Sequence, residues 1–125
     1  QLGYQKEVNK TLAYALYCYA TSKKLTTTIS KKGVPFDVFT YSVDSLPLLF
    51  HCLFVLEKHE KDNGREFIKI YQPWLEEEIK TFYKKVIDKT TGLVRVDKQF
   101  SSIKDHAQRR SSCYDNCMAA MLSKY

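Results

Sequence analysis

Apolar residues recur every three or four positions in four stretches of the chain, which is the spacing of one face of an α-helix. The second stretch differs from the others, because Leu48 to Leu56 is apolar almost all round, a pattern typical of a helix buried on every side. Its ~14 residues are too few to span a bilayer, which takes about 20. The pattern predicts an all-α protein with helices over residues 5–20, 45–60, 65–87 and 112–125.

Turn-forming residues predict where these helices begin and end. The segment Lys61-Asp62-Asn63-Gly64 predicts a tight stop, in which Gly64 takes the left-handed conformation that ends many helices. Either Asp44 or Ser45 can cap the second helix. Pro73 interrupts the third helical pattern, so we expect either a kink or two successive helices there.

Two long connections, residues 22–43 and 93–110, separate the predicted helices. If consecutive helices are antiparallel, the short turn at 61–64 lies at one end of the bundle and both long connections lie at the other. Residues 41–44 and 101–116 are then neighbours. Long loops on one face of a helical scaffold are a common place for a binding or catalytic site, so we expect the site at this end.

The composition predicts one soluble globular domain. The 125 residues are 44% hydrophobic and 27% charged, which excludes an intrinsically disordered chain. The sequence contains no run of ~18 apolar residues, so no transmembrane helix is predicted. The charged segment that follows Gln1-Leu2-Gly3-Tyr4 is unlike a signal peptide. We therefore expect a cytoplasmic protein with no membrane partner.

The net charge of +6 suggests nucleic acid as one possible partner. The basic residues, however, come as separate pairs such as Lys23-Lys24 and Lys84-Lys85, and Glu76-Glu77-Glu78 interrupts any continuous basic stripe. No nucleic-acid-binding motif accompanies them. We expect a basic solvated surface and no nucleic-acid partner, with a basic RNA- or DNA-associated helical protein as an alternative.

The cysteines do not form a recognisable metal site. Cys113 and Cys117 lie four positions apart, but no second close pair of Cys or His residues completes four zinc ligands. We expect these two residues, together with Cys18 and Cys52, to be mainly small buried hydrophobes in a reducing compartment. His51 lies on the apolar second helix and is expected to be a core histidine.

The segment from Phe100 to Cys117 is dense in hydrogen-bonding side chains. A surface loop without a task rarely needs so many specific polar groups, so this segment is the candidate for a functional site. Helix-capping serines and ion pairs among Lys104, Asp105, Arg109 and Asp115 are the alternative explanation.

Three segments follow one another in an order that resembles a known family. Residues 41–50 (Tyr-Ser-Val-Asp-Ser-Leu-Pro-Leu-Leu-Phe) resemble the opening of an inner helix in the six-hairpin glycosidases, and Thr91-Gly92-Leu93-Val94 resembles the step before their catalytic loop. Phe100 to Asp105 falls where these enzymes carry their general acid. The resemblance is to the amylo-1,6-glucosidase and glucoamylase-like groups. Ser102 and Lys104 replace an aromatic and an apolar residue of the family's motif.

The resemblance implies an (α/α)6 toroid of alternating inner and outer helices with long loops on one face. Residues 1–125 would form about two of its antiparallel hairpins, packed against the remainder of the parent barrel. It implies a glycosidase that acts on a carbohydrate substrate through α-glucosidic or related linkages, without a cofactor or metal. Asp105 would be the general acid, with the base outside this chain. The implied substrate-binding residues are Tyr41, Asp44, Arg109, Arg110, Tyr114, Asp115 and Asn116.

Several of these residues have a second interpretation. Asp44 either holds sugar hydroxyls or caps a helix, Tyr41 either stacks on a sugar or packs in the core, and the two arginines either fix hydroxyls or pair with Asp115. A general acid must keep its proton near neutral pH, so we expect Lys104 to point away from Asp105. A helical binding or assembly module without catalysis is the alternative function.

Overall fold

The structure, a computed structural model, describes residues 3–38, 40–101 and 110–125. Over these residues the chain is mainly helical, as predicted, with a short β-ribbon between the first two helices. The elements in chain order are α1 (Gln5–Ser22), β1 (Thr28–Ile29), β2 (Pro35–Phe36), α2 (Ser45–His59), α3 (Lys61–Val86) and α4 (Cys113–Leu122).

The hydrophobic core forms where α2 packs along α3, which is the most extensive contact between two elements. α4 also packs on α2, whereas α1 rests on α3 and β2. Leu16 of α1, Leu46 of α2, and Phe82 and Val86 of α3 are completely enclosed. Fully burying a side chain of this kind stabilises a fold by roughly 1.5–3 kcal/mol, so these residues hold three helices together.

The junction of α2 and α3 differs from the prediction. Only Glu60 separates the two helices, and Gly64 lies buried in the first turns of α3 instead of ending a helix. A Cβ atom at this position would lie 2.5 Å from the backbone nitrogen of Glu57. The prediction of a left-handed glycine cap was therefore wrong. The glycine is needed because two helix backbones approach each other closely here.

α3 continues through Pro73 as one helix of 26 residues. Proline removes one backbone hydrogen bond, which leaves the carbonyl of the residue four positions earlier without its helical donor. Both Pro73 and that residue, Lys69, are exposed, so water can satisfy the carbonyl. Pro73 therefore does not divide this stretch into two successive helices, which was one of the two predicted outcomes.

The first long connection contains the β-ribbon. β1 and β2 are antiparallel, with Thr28 opposite Phe36 and Ile29 opposite Pro35. Gly33 lies between the strands with φ of +77°, a conformation that glycine adopts without steric cost. Because β2 contacts α1, this part of the connection is folded back onto the helices.

α2 is not buried on every side, contrary to the prediction. Phe54 and Val55 are 46% and 37% exposed, because α3 and α4 pack on the opposite part of the helix. Its buried residues are Ser45, Leu46, Pro47, Leu49, Leu53 and Leu56. None of the helices within the described residues combines the length and the apolar character that crossing a membrane requires.

Three of the four cysteines and His51 depart from prediction, whereas the prediction for Cys18 is confirmed. Cys18 is buried, but Cys52, Cys113 and Cys117 are exposed, and so is His51. All four cysteines are free thiols.

Candidate functional site

The two long connections meet at the end of the bundle where α2 begins. Ser42 and Ser101 form a parallel backbone bridge. The amide of Ser101 donates to the carbonyl of Tyr41 at 3.1 Å, and the amide of Val43 donates to the carbonyl of Ser101 at 3.4 Å. The Ser101 hydroxyl donates to the carbonyl of Thr40 at 2.6 Å. We call this paired backbone, together with the first residues of α2 and α4, the rim.

Asp44 links α2 to α4 at the rim. Its side chain is 1% exposed. One carboxylate oxygen accepts a hydrogen bond from the Ser42 hydroxyl, and the other accepts one from the Tyr114 hydroxyl at 2.9 Å. Although Asp44 occupies the N-cap position of α2, its side chain makes no capping bond. The capping interpretation is therefore wrong.

Two other candidate residues begin α4. The Ser112 hydroxyl accepts from the amide of Asp115 at 3.1 Å, and the Asp115 carboxylate accepts from the amide of Ser112 at 3.3 Å. This reciprocal pair is a capping box. The side-chain oxygen of Asn116 accepts from the amide of Val94 at 2.9 Å. The capping box stabilises the start of α4, and the bond from Val94 to Asn116 holds α4 against the second connection.

Of the remaining candidate residues of the second connection, the structure describes Arg110. Arg110 is exposed, three positions before α4. Asp105 and Arg109 lie outside the described residues, as do Ser102 and Lys104. The predicted general acid, and the predicted orientation of Lys104 beside it, therefore stay predictions.

Tyr41 packs against the core below the rim. The ammonium group of Lys85 lies 4.9 Å from the centre of its ring, a distance typical of a cation–π contact. Its hydroxyl is buried without a hydrogen-bond partner among the described residues. Burial is the main cause that raises the pKa of this phenol, and the negative charges of Glu78 and Asp37 add to it. One face of the ring is covered, which favours the core interpretation over sugar stacking.

Glu78 is a buried carboxyl group whose charge acts on Tyr41. Its side chain belongs to α3 and the residue is 7% exposed. Burial raises the pKa of the carboxyl group. Three groups oppose this effect: Lys85, the backbone amide of Leu25, and the indole N–H of Trp74. The indole nitrogen of Trp74 is buried and has no hydrogen-bond partner among the described residues.

The sequence pattern could have identified Glu78 as a buried residue, although it lies in a run of acidic residues. Glu76-Glu77-Glu78 resembles an ordinary solvated run of acidic residues. Helical spacing distinguishes Glu78 from the other two glutamates. Glu78 lies four positions from both Trp74 and Phe82, and therefore on the buried face of α3. A carboxyl group within an apolar helical stripe is the feature that could have identified it.

Replacing Glu78 by Gln is expected to make stability less dependent on pH. The folded-state pKa of Glu78 is raised, so the native state binds the proton more tightly than the unfolded state. The stability that Glu78 contributes is fully present below its pKa in the unfolded state, and it is lost as pH rises through its pKa in the folded state. Glu78→Gln should therefore raise the melting temperature relative to wild type at about pH 7, with the gain disappearing towards about pH 3.5. Equal gains at both pH values would contradict this prediction.

An apolar groove of about 680 Å³ lies between α1 and α2, towards the end of α2 that is far from the rim. Its walls include Val8, Leu12 and Ala15 of α1 and Cys52 and Val55 of α2. The groove exists because α1 rests on α3 rather than along α2. Within the described part of the chain, no group of three or more His, Cys, Asp or Glu residues is placed to hold a metal ion.

The rim is therefore a tightly hydrogen-bonded junction of three segments, and Arg110, three positions before α4, is exposed. Comparison of this chain with models of known protein families, with curated proteins and with solved structures finds no match.

Proposed function

We propose that this chain forms part of the catalytic domain of a glycoside hydrolase that cleaves α-glucosidic or related linkages. The pairing of Ser42 with Ser101 supports the proposal. Ser101 precedes Asp105 by four positions, so the pairing joins the segment that contains Asp44 to the start of the segment that contains the proposed general acid. A glycosidase of the six-hairpin type requires these two segments at the same end of its helices.

The proposed chemistry needs two carboxyl groups. One protonates the leaving oxygen of the glycosidic bond, and the other activates water or attacks the sugar. Asp105 takes the first role, and the second carboxylate lies outside this chain. Asp44 accepts a hydrogen bond from Tyr114 and so positions that hydroxyl at the rim. Arg110 is exposed and supplies a guanidinium group that can donate to sugar hydroxyls.

An (α/α)6 toroid would also explain the exposed apolar surface of α2. In such a fold each inner helix has an inner helix on both sides. α2 has α4 beside it, while Cys52, Phe54 and Val55 are exposed. A further hairpin would bury these side chains, which favours assembly because removing apolar surface from water stabilises by roughly 25 cal/mol per Å². The proposed partner is therefore the remainder of the parent barrel.

The catalytic proposal is tested by Asp105→Asn in the full-length protein that contains this chain. The assay follows the release of glucose or shorter chains from malto-oligosaccharides and from an aryl α-glucoside. We expect Asp105→Asn to abolish turnover while the circular dichroism spectrum and melting temperature stay unchanged, because an amide cannot protonate the leaving oxygen.

Asp97→Asn is the matched control for this experiment. Asp97 is an exposed aspartate of the same connection, and it pairs with Arg95 at 2.6 Å. Its replacement should leave turnover unchanged. Wild-type activity in Asp105→Asn, or the absence of hydrolysis on all α-glucosides by the wild-type protein, would overturn the proposal.

A non-catalytic helical binding module is the second candidate, and the apolar groove between α1 and α2 favours it. A module of this kind should fold without further hairpins. Cooperative unfolding of the 125-residue chain as a monomer, measured by denaturant titration and light scattering, would favour this candidate. Aggregation of the isolated chain would favour the toroid.

A further inference from the structure

The outward face of the β-ribbon is apolar, although a ribbon of this kind usually turns polar side chains to water. Pro35 of β2 is buried, whereas Val34, Phe36 and Val38 are 58%, 43% and 47% exposed. Successive side chains of a strand point to opposite faces. The three exposed side chains therefore share one face, and the opposite face lies towards α1, which β2 contacts.

Two lysines form the turn at the tip of the ribbon. The amide of Ser30 donates to the carbonyl of Val34 at 2.9 Å, and the amide of Gly33 donates to the carbonyl of Ser30 at 2.9 Å. These bonds close the turn that contains Lys31 and Lys32. Both lysines are exposed, and neither forms an ion pair with a residue that the structure describes. The tip therefore carries two positive charges beside an apolar face.

α1 places two exposed tyrosines next to this tip. A Cβ atom on Gly33 would lie 3.4 Å from the hydroxyl oxygen of Tyr14, so the turn rests against this side chain. Tyr17 lies three positions further along α1 and is its neighbour on the helix surface. The two tyrosines are 50% and 62% exposed. Tyrosine is enriched at membrane–water interfaces, because its ring is apolar and its hydroxyl is polar.

We propose that the β-ribbon and the adjoining side of α1 bind the surface of an anionic lipid bilayer. Val34, Phe36 and Val38 enter the boundary between the headgroups and the acyl chains, and the two lysines of the tip lie among anionic headgroups. Apolar insertion combined with the attraction of lysines to anionic lipid holds interfacial protein segments on membranes that they do not span.

Lipid fits this face better than a macromolecular partner does. Three half-exposed side chains present far less than the roughly 800 Å² that each partner buries in a standard protein interface. Single-stranded nucleic acid is bound by base stacking and phosphate contacts, and the two valines provide neither. Membrane binding, in contrast, strengthens with each apolar group that enters the bilayer and each lysine at its surface.

Interfacial binding differs from the sequence-based expectation of no membrane partner. That expectation rested on the lack of an apolar run that could span a bilayer and on an N-terminal segment unlike a signal peptide. Binding through a folded ribbon requires neither of these features. It is also independent of the proposed glycosidase activity, because none of the residues involved belongs to the rim.

Co-sedimentation of the full-length protein with vesicles tests the role of the lysines. We expect binding to vesicles of phosphatidylcholine mixed equally with phosphatidylserine, and weaker binding to phosphatidylcholine alone. One lysine near an anionic surface strengthens binding roughly fivefold. Lys31→Gln combined with Lys32→Gln should therefore weaken binding to the mixed vesicles roughly 25-fold. Lys58→Gln combined with Lys61→Gln removes two exposed lysines where α2 meets α3, and this control should bind like the wild type.

Serine substitutions on the apolar face test insertion. Phe36→Ser should weaken binding to the mixed vesicles roughly tenfold or more, because the largest apolar side chain of the face is lost. Val38→Ser should also weaken binding, and it keeps the test valid if circular dichroism shows that Phe36→Ser does not fold. Val96→Ser is the matched control, since Val96 is 67% exposed on the second connection, and it should bind like the wild type.

Three results would overturn the proposal. The first is a wild-type protein that does not bind the mixed vesicles. The second is equal binding by the Lys31/Lys32 variant and its Lys58/Lys61 control. The third is weaker binding of the Lys31/Lys32 variant with unchanged binding of the serine variants, since this pattern would identify an electrostatic site for a polyanion such as nucleic acid. Weaker binding in both groups of variants, with unchanged controls, supports membrane insertion.

Discussion

Asp44→Ala should lower the free energy of unfolding by about 3 kcal/mol or more, since each buried group left without its partner costs roughly 1–3 kcal/mol. Asp44 is 1% exposed and accepts from two hydroxyls, those of Ser42 and Tyr114. Removing the carboxylate takes away the acceptor that both hydroxyls share, and it leaves a space in a buried junction. Denaturant unfolding followed by circular dichroism measures the loss.

A double-mutant cycle identifies how much of this loss comes from the link between α2 and α4. Tyr114→Phe removes the hydroxyl that donates to Asp44 and should cost about 1.5–3 kcal/mol, the range for a hydrogen bond to a charged group. In the Asp44→Ala background the same change should cost much less, because the acceptor is already gone. Additive losses would show that the two side chains do not depend on each other.

Gly64→Ala should destabilise the protein by about 3 kcal/mol, at the upper end of the range for forcing one extra methyl group into a packed site. On an ordinary helix this change would stabilise by roughly 1 kcal/mol, because alanine has the higher helix propensity. Here the new Cβ would lie 2.5 Å from the backbone nitrogen of Glu57. Backbone atoms cannot rotate away as a side chain can, so steric repulsion outweighs propensity.

Lys69→Ala is the control for Gly64→Ala. It introduces the same residue at an exposed position of α3, so it should change stability by less than about 0.5 kcal/mol. Thermal unfolding of both variants gives the comparison. A melting temperature for Gly64→Ala equal to or above that of the wild type would contradict the close approach of α2 and α3.

The helices were predictable from local pattern, and their junctions were not. The apolar spacing gave α2 and α4 within a few residues of their observed bounds. Gly64 was misinterpreted because a glycine after a helical stretch has two explanations, a left-handed cap or a close contact between backbones. Only the position of Glu57 on the neighbouring helix distinguishes them.

The candidate site was likewise predictable only in part. The sequence predicted that the two long connections meet at one end of the helices, and Ser42 does pair with Ser101. The partners of each side chain did not follow from spacing. Asp44 could have capped α2, yet it bonds to Tyr114, 70 positions away in sequence. Glu78 could have been solvated like its neighbours, yet it is only 7% exposed.

The sequence by itself determined the mainly helical character and which segments can meet, because hydrophobic periodicity is a local property and the lengths of the connections restrict the possible topologies. The tertiary structure decided which side of α2 is covered, why Gly64 must be a glycine, and which carboxyl groups are withdrawn from water. These features depend on residues distant in sequence. Burial and hydrogen bonding are properties of a side chain's surroundings, which its neighbours along the chain do not specify.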